Sequence, residues 1–299
     1  MKTVIALVNR NRKLFFRDKG MFLSSLITPI ILIVLYGTFL ANVYKDSFQS
    51  ALPAMLDVSE KLIDGTVAAQ LAAALLAVSC ITVTFCVNLT MIQDRASGAI
   101  KDFHVSPVKK PVVYLGYFFS TVLNSLIVNM LALVLCLGYV RMMGWYLNAA
   151  DILYLVFDVV LLVLFGCVLS SIICYPLKTQ GQMSAVGTIV SAGYGFICGA
   201  YMPISNFGDG LQKTLSYLPS TYSAALLKNH MLRGIFEEME KEGFPKDVVT
   251  GIADSLDCNP VLAGNVVSVN GMIAIMAGTV LILGAIYLLM TAFVGKKQG

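Results

Sequence analysis

Two of the longest apolar runs in this sequence, Val67 to Ile92 and Val112 to Val140, contain no charged residue, and they are separated by one short polar stretch, Gln93 to Pro107, closed by Lys109-Lys110-Pro111. About 20 apolar residues rising about 1.5 Å each cover the roughly 30 Å of a bilayer core, so each run is long enough to cross it. The polar stretch is then a loop between two spans. It carries Arg95, Lys101, Lys109 and Lys110 against Asp94 and Asp102, and short basic loops stay on the cytoplasmic side. Its composition from Asp94 to Val105 predicts a short helix under the membrane. That helix stops at Ser106-Pro107, because proline drives the residue before it out of the α region.

Composition excludes a soluble globular chain: of 299 residues, 58% are hydrophobic and 13% charged, with a mean hydropathy of +0.80. The net charge of +4 argues against a nucleic-acid partner, since the bases sit where membrane topology needs them. Six of the seven cysteines, at 80, 86, 136, 167, 174 and 198, fall in apolar runs without metal-ligand spacing and read as small hydrophobes, while Cys258 stands alone in a polar segment. His104 and His230 are too few for a histidine metal site.

Taken in order, residues 1–20 hold Lys2, Arg10, Arg12, Lys13, Arg17 and Lys19 against Asp18 alone. On a helical wheel most of these bases lie opposite Val4, Val8, Leu14 and Phe15, the pattern of an interfacial helix facing anionic lipid headgroups. A positive flank that merely orients the first span is the plainer alternative. Spans are predicted over 21–43, with Pro29 and Gly37, and over 66–92, 112–140, 152–175, 183–201 and 266–294. Both termini are then cytoplasmic. Thr82, Thr84, Asn88 and Thr90 serve as interhelical glue or line a wet cavity. Asp158, the one acid well inside an apolar run, is an ion or substrate site by default, or a structural group paired within the bundle. The stretch 202–265 divides in two: 202–233, broken by Pro203, Gly208, Gly210 and Pro219, suits re-entrant or interfacial helices on the outer face, and the acidic excursion 237–265 suits a solvated cap or a lid.

No P-loop, H-E-x-x-H helix or nucleophile elbow occurs, so the chain is not expected to be an enzyme. Asp94-Arg95, Gly98, Phe103 and Val105-Ser106-Pro107 resemble the acid-Arg-x-x-Gly and Ser/Thr-Pro signature of the permease subunits of ABC type 2 exporters. Gly199, Pro203, Leu211, Leu218-Pro219 and Tyr222 follow the pattern that this family carries after its fifth span, and Arg17-Asp18-Lys19 with Pro29 matches its usual start. The departures are Ala96 and Ala99, where the family often has a second acid and a threonine.

The resemblance implies a single all-α transmembrane domain over 1–299, with six transmembrane helices, an N-terminal interfacial helix, a cytoplasmic coupling helix in 93–107 and outer re-entrant helices. It implies a bacterial cell-membrane exporter of a hydrophobic or amphipathic substrate, working with a second permease copy and a separate ATP-binding subunit on the cytoplasmic face. Any ATP is bound by that partner. Asp94, Arg95 and Gly98 would lie at the ATPase contact, with Ser106-Pro107 ending the coupling helix, and Phe85, Asn88 and Tyr194 would line the substrate cavity. Two other readings stand beside it: an ion-gradient-driven six-span carrier or channel working through Asp158, and a membrane scaffold that moves nothing.

Overall fold

The computed structural model describes residues 2–35, 59–105 and 108–296. Residues 36–43 of the first predicted span, with Gly37, and Ser106 and Pro107 lie outside the described residues. Helix α1 (Lys2–Arg17) is followed after Asp18 by α2 (Lys19–Leu35), and α3 (Glu60–Ala96) leads through Gly98 to the short α4 (Ile100–His104). Then come α5 (Lys110–Met143), α6 (Ala149–Cys174), α7 (Gln180–Ile197), a 3-10 turn at Ile204–Asn206, α8 (Asp209–Leu215), α9 (Pro219–Lys241), α10 (Lys246–Ser255) and α11 (Val269–Lys296). Among the described residues, the strands β1 (Val261–Leu262) and β2 (Asn265–Val266) form a single antiparallel hairpin.

The axis of the bundle is α3. Ser59 caps it by accepting the Leu62 N–H, Glu60 stands in the first turn and Arg95 in the last, the charge order that a helix dipole favours. It is buried on all sides, as a helix apolar all round must be, and Ala68, Ala69, Ala72, Ala73, Ala74 and Ala77 let its neighbours approach closely. Helices α2, α5, α6, α7 and α9 pack around it, and α11 lies against α5, α6 and α9. At 37 residues α3 is about 55 Å long by rise, so it continues past a 30 Å core at its ends.

Four of the described helices, α3, α5, α6 and α11, are long and apolar enough to cross a membrane. The chain is therefore an all-α, multi-pass membrane protein. Helix α7 has 18 residues and closes early, where the Ala200 and Tyr201 N–H groups turn back to the Gly195 carbonyl. Helix α11 starts at Val269 because Val261↔Val266 and Leu262↔Asn265 pair in the hairpin just before it.

Three local outcomes differ from the linear reading. In α1 the stripe turned to the bundle is Leu7, Asn11 and Phe15, with Leu14 exposed, because α1 packs lengthwise on α5. Helix α9 runs from a proline in its first turn through the second part of the stretch 202–233, read as re-entrant or interfacial, and on to Lys241 in the stretch read as an acidic excursion, with Leu226, Leu227, Met231 and Leu232 fully buried among α3, α6 and α11. Its closest approach is at Gly234, where a Cβ would stand 1.8 Å from the Tyr146 carbonyl oxygen. Cys258 is buried rather than solvated, with the Asn229 amide donating to its carbonyl at 2.6 Å, and burial pushes its thiol up to about 12.

Candidate functional site

The end of α3 brings the sequence-predicted pair Asp94 and Arg95 to a junction of five elements. Consecutive helical residues point about 100° apart, so the two side chains leave α3 in different directions. Asp94 turns toward α1. Its carboxylate accepts two hydrogen bonds from the Arg10 guanidinium, at 2.6 and 3.1 Å, and a third from the Tyr117 hydroxyl on α5. Arg10 also donates to the Asn11 side-chain oxygen at 2.9 Å and lies 5.3 Å from the centre of the Phe103 ring on α4. The bidentate fork fixes orientation as well as charge, and the carboxylate raises the pKa of Arg10 above its ordinary value.

Arg95 turns the other way, to the end of α6. A single guanidinium nitrogen donates to the carbonyls of Cys174, Tyr175 and Leu177, at 3.3, 2.6 and 2.8 Å, and the group faces the neighbouring rings of Tyr114 and Tyr175, 5.6 and 5.7 Å from their centres. The last carbonyls of a helix have no partner in their own ladder and carry its negative end, so a cation there is doubly favoured. Beyond this grip the chain turns at Gly98, whose φ of +83° suits glycine. The Lys101 N–H closes on the Gly98 carbonyl at 2.9 Å and begins α4, on which Lys101 and Asp102 are exposed. Asp94 is thus buried and committed within the chain, Arg95 is committed to the α6 end, and Gly98 shapes the bend that presents α4.

The predicted cavity residues lie inside the described bundle. Phe85 is buried, the Asn88 amide donates to the hydroxyls of Ser170 and Ser171 on α6 at 3.2 and 3.3 Å, and the Tyr194 hydroxyl stands 3.4 Å from that of Ser223 on α9. Asp158 is fully buried with one oxygen 2.6 Å from His230 Nδ1, and the Tyr154 ring stacks on that imidazole at 4.8 Å. Two further acid–base contacts join α9 to other parts of the chain. Lys228 reaches Asp257 at 3.4 Å and the Gly199 carbonyl at 3.3 Å, and Arg233 stands 3.1 Å from Asp151, an ion pair without hydrogen-bond alignment. Among the described residues no group of three or more His, Cys, Asp or Glu side chains is placed to hold a metal ion.

Linear reading found Asp94, Arg95 and Asp158 but missed Arg10, Tyr117 and His230. The available signal was chemical: an acid in an apolar run needs a buried partner, and α9 carries three bases in otherwise apolar surroundings. The profile of the ABC-2 type transporter family matches residues 2–231, which takes in the whole of this junction. No curated protein matches the chain.

Proposed function

Given that the chain belongs to the ABC-2 type transporter family, as a permease component rather than the ATPase, we propose that it is the membrane subunit of an ATP-driven exporter in a cell membrane. In this reading it works with a second permease copy and with an ATP-binding subunit docked on the loop 93–107. The carrying observation is the junction at the end of α3: a glycine bend presents α4 with Lys101 and Asp102 exposed, while Asp94 and Arg95 behind it are tied to α1, α5 and α6. An exposed helix braced from behind is what a docked partner would need in order to push on the bundle. Asp94 and Arg95 then serve the contact by positioning α4, and α4 touches the ATPase.

The six-span topology adds α2 and α7 to the four long helices, with α8 and the start of α9 as re-entrant elements. Both termini face the cytoplasm. The substrate is hydrophobic or amphipathic and moves along α3 and α7, whose packing Asn88 and Tyr194 hold. The carrier reading has one observation of its own, the buried Asp158, whose second oxygen accepts no hydrogen bond. Its partner His230 lets that acid sit in the bundle as a neutral pair, which is a structural use.

Co-purification with a candidate P-loop ATPase, comparing the native chain with Lys101→Glu plus Asp102→Lys, tests the reading without disturbing the braces. Loss of the ATPase with normal membrane insertion is expected. Retained association would remove α4 as the docking element, and an Asp158→Asn variant that alone abolished transport would favour the carrier.

A further inference from the structure

The grip of Arg95 on the end of α6 has a geometry that capping alone does not require. One guanidinium nitrogen holds carbonyls of both the last helical turn, Cys174 and Tyr175, and the linker beyond it, Leu177. Only Lys178 separates that linker carbonyl from Thr179, the N-cap of α7, and the start of α7 is itself tightly closed. The Thr179 hydroxyl accepts the Gln182 N–H, and the Gln182 side chain accepts the N–H groups of Lys178 and Thr179, the former at 2.9 Å. A displacement of Leu177 is therefore carried into α7 with almost no slack. Helix α7 is also lightly held: it packs chiefly on α3, and among its residues only Tyr194 and Gly195, near the far end, are buried. Asp94, one residue away from Arg95, is fixed to α1 and α5.

We infer that Arg95 is the positioning residue that transmits movement of α4 to α7, with the Asp94–Arg10–Tyr117 cluster as the fixed side of the same joint. This rests on the ATPase-coupled reading for the source of the push and on the geometry alone for the linkage. Movement of α4 about the Gly98 bend would shift the end of α3, and the guanidinium would draw the α6–α7 elbow with it. A lysine ammonium also carries three donors, but it lacks the planar guanidinium face that Arg95 turns to the Tyr114 and Tyr175 rings and the preorganised stem geometry that goes with it, so it would hold the elbow less firmly. The adjoining Tyr114 and Tyr175 rings, their centres 5.2 Å apart, both attract the guanidinium and favour its place at the elbow.

The test uses the full chain with Cys86→Ser, which removes the one cysteine that is not buried, and a reporter thiol at the exposed Ser184 on α7. In the chain without ATPase, Arg95→Gln should speed amide hydrogen exchange over 175–182 several-fold, and Arg95→Lys should fall between it and the native chain. Unchanged exchange would overturn the grip whatever the chain's partners. In the complex with its ATPase, adding ATP and vanadate should change the maleimide labelling rate at Ser184→Cys. Arg95→Gln should abolish that change while the ATPase still co-purifies, and two glycines inserted between Lys178 and Thr179 should abolish it with Arg95 intact. A native-sized response in either variant would overturn the inference. Absence of any ATPase from the native preparation would instead count against the exporter reading, leaving the exchange result to decide the linkage.

Discussion

The junction at the end of α3 and the acid–base contacts of α9 use the same residue types for opposite ends. At the junction, Arg10 within α1 and Arg95 in the last turn of α3 are partly solvated, each serving more than one acceptor on different elements. Along α9, His230 and Lys228 each meet one carboxylate with both partners largely buried, and Asp158 is sealed. A multi-acceptor cation at a chain turn keeps its bonds while the elements tilt, because lost contacts are replaced by neighbouring carbonyls or water. A sealed one-to-one pair has no substitute. The first arrangement suits a joint and the second a lock, so the bundle is expected to move about the α3 end while α9 and α6 stay together.

The largest effect should come from breaking the lock. His230→Ala leaves Asp158 buried without its base, a change that costs about 3–5 kcal/mol when a buried pair loses one member. Thermal unfolding in detergent should show it as a marked fall in midpoint, and Asp158→Asn combined with His230→Gln, which keeps polar groups of similar size without charge, should recover most of it. An unchanged midpoint in His230→Ala would dissolve the distinction drawn here. Next in size is Gly234→Ala: with a Cβ 1.8 Å from the Tyr146 carbonyl, α9 must move away from the loop before α6, an overpacking cost of about 1–3 kcal/mol. The same unfolding measurement checks it.

The junction should respond more gently. Asp94→Asn keeps one oxygen to accept from Arg10 and Tyr117 but removes the charge and the second acceptor of the Arg10 fork, a loss of about 1 kcal/mol for a partly solvated pair. It should appear locally, as faster hydrogen exchange in α1, with the global midpoint little moved. A global loss as large as that of His230→Ala would mean that the junction too is a lock.

The spans of α3, α5, α6 and α11 were legible because a bilayer demands uncharged length, which composition displays directly. A short helix was legible in the polar stretch, but it was read as starting at Asp94, whereas Asp94 to Ala96 extend α3 and only Ile100–His104 form the separate helix beyond Gly98. Pairing was not legible, because it is a property of which helices become neighbours. Arg10 and Asp94 are 84 residues apart, and Asp158 and His230 are 72 apart. The wheel of α1 placed Arg10 among the solvated bases, since local amphipathicity carries no information about a carboxylate waiting on another helix. Helix α9 was underestimated for the same reason. Lys228, His230 and Arg233 lower its apparent hydropathy, yet acids elsewhere answer all three.

The smallest expected effect sharpens the comparison from the other side. Lys241 and Glu238 form an ion pair at 3.0 Å near the end of α9, a distance as good as many within the junction, but the lysine side chain is 70% exposed and the glutamate 35%. Water and salt compete for both groups, and holding two long side chains together costs entropy, so Glu238→Gln should change stability by no more than about 0.5 kcal/mol. The measured midpoint should stay within error of the native value, and the small difference should vanish at high salt. If Glu238→Gln destabilised as strongly as His230→Ala, ion-pair distance rather than burial would be setting these energies. If it is neutral, three contacts on one helix with donor–acceptor distances from 2.6 to 3.4 Å will have separated by their access to water. The longest of them, Lys228–Asp257, would then outrank the shorter Lys241–Glu238 because its lysine is buried.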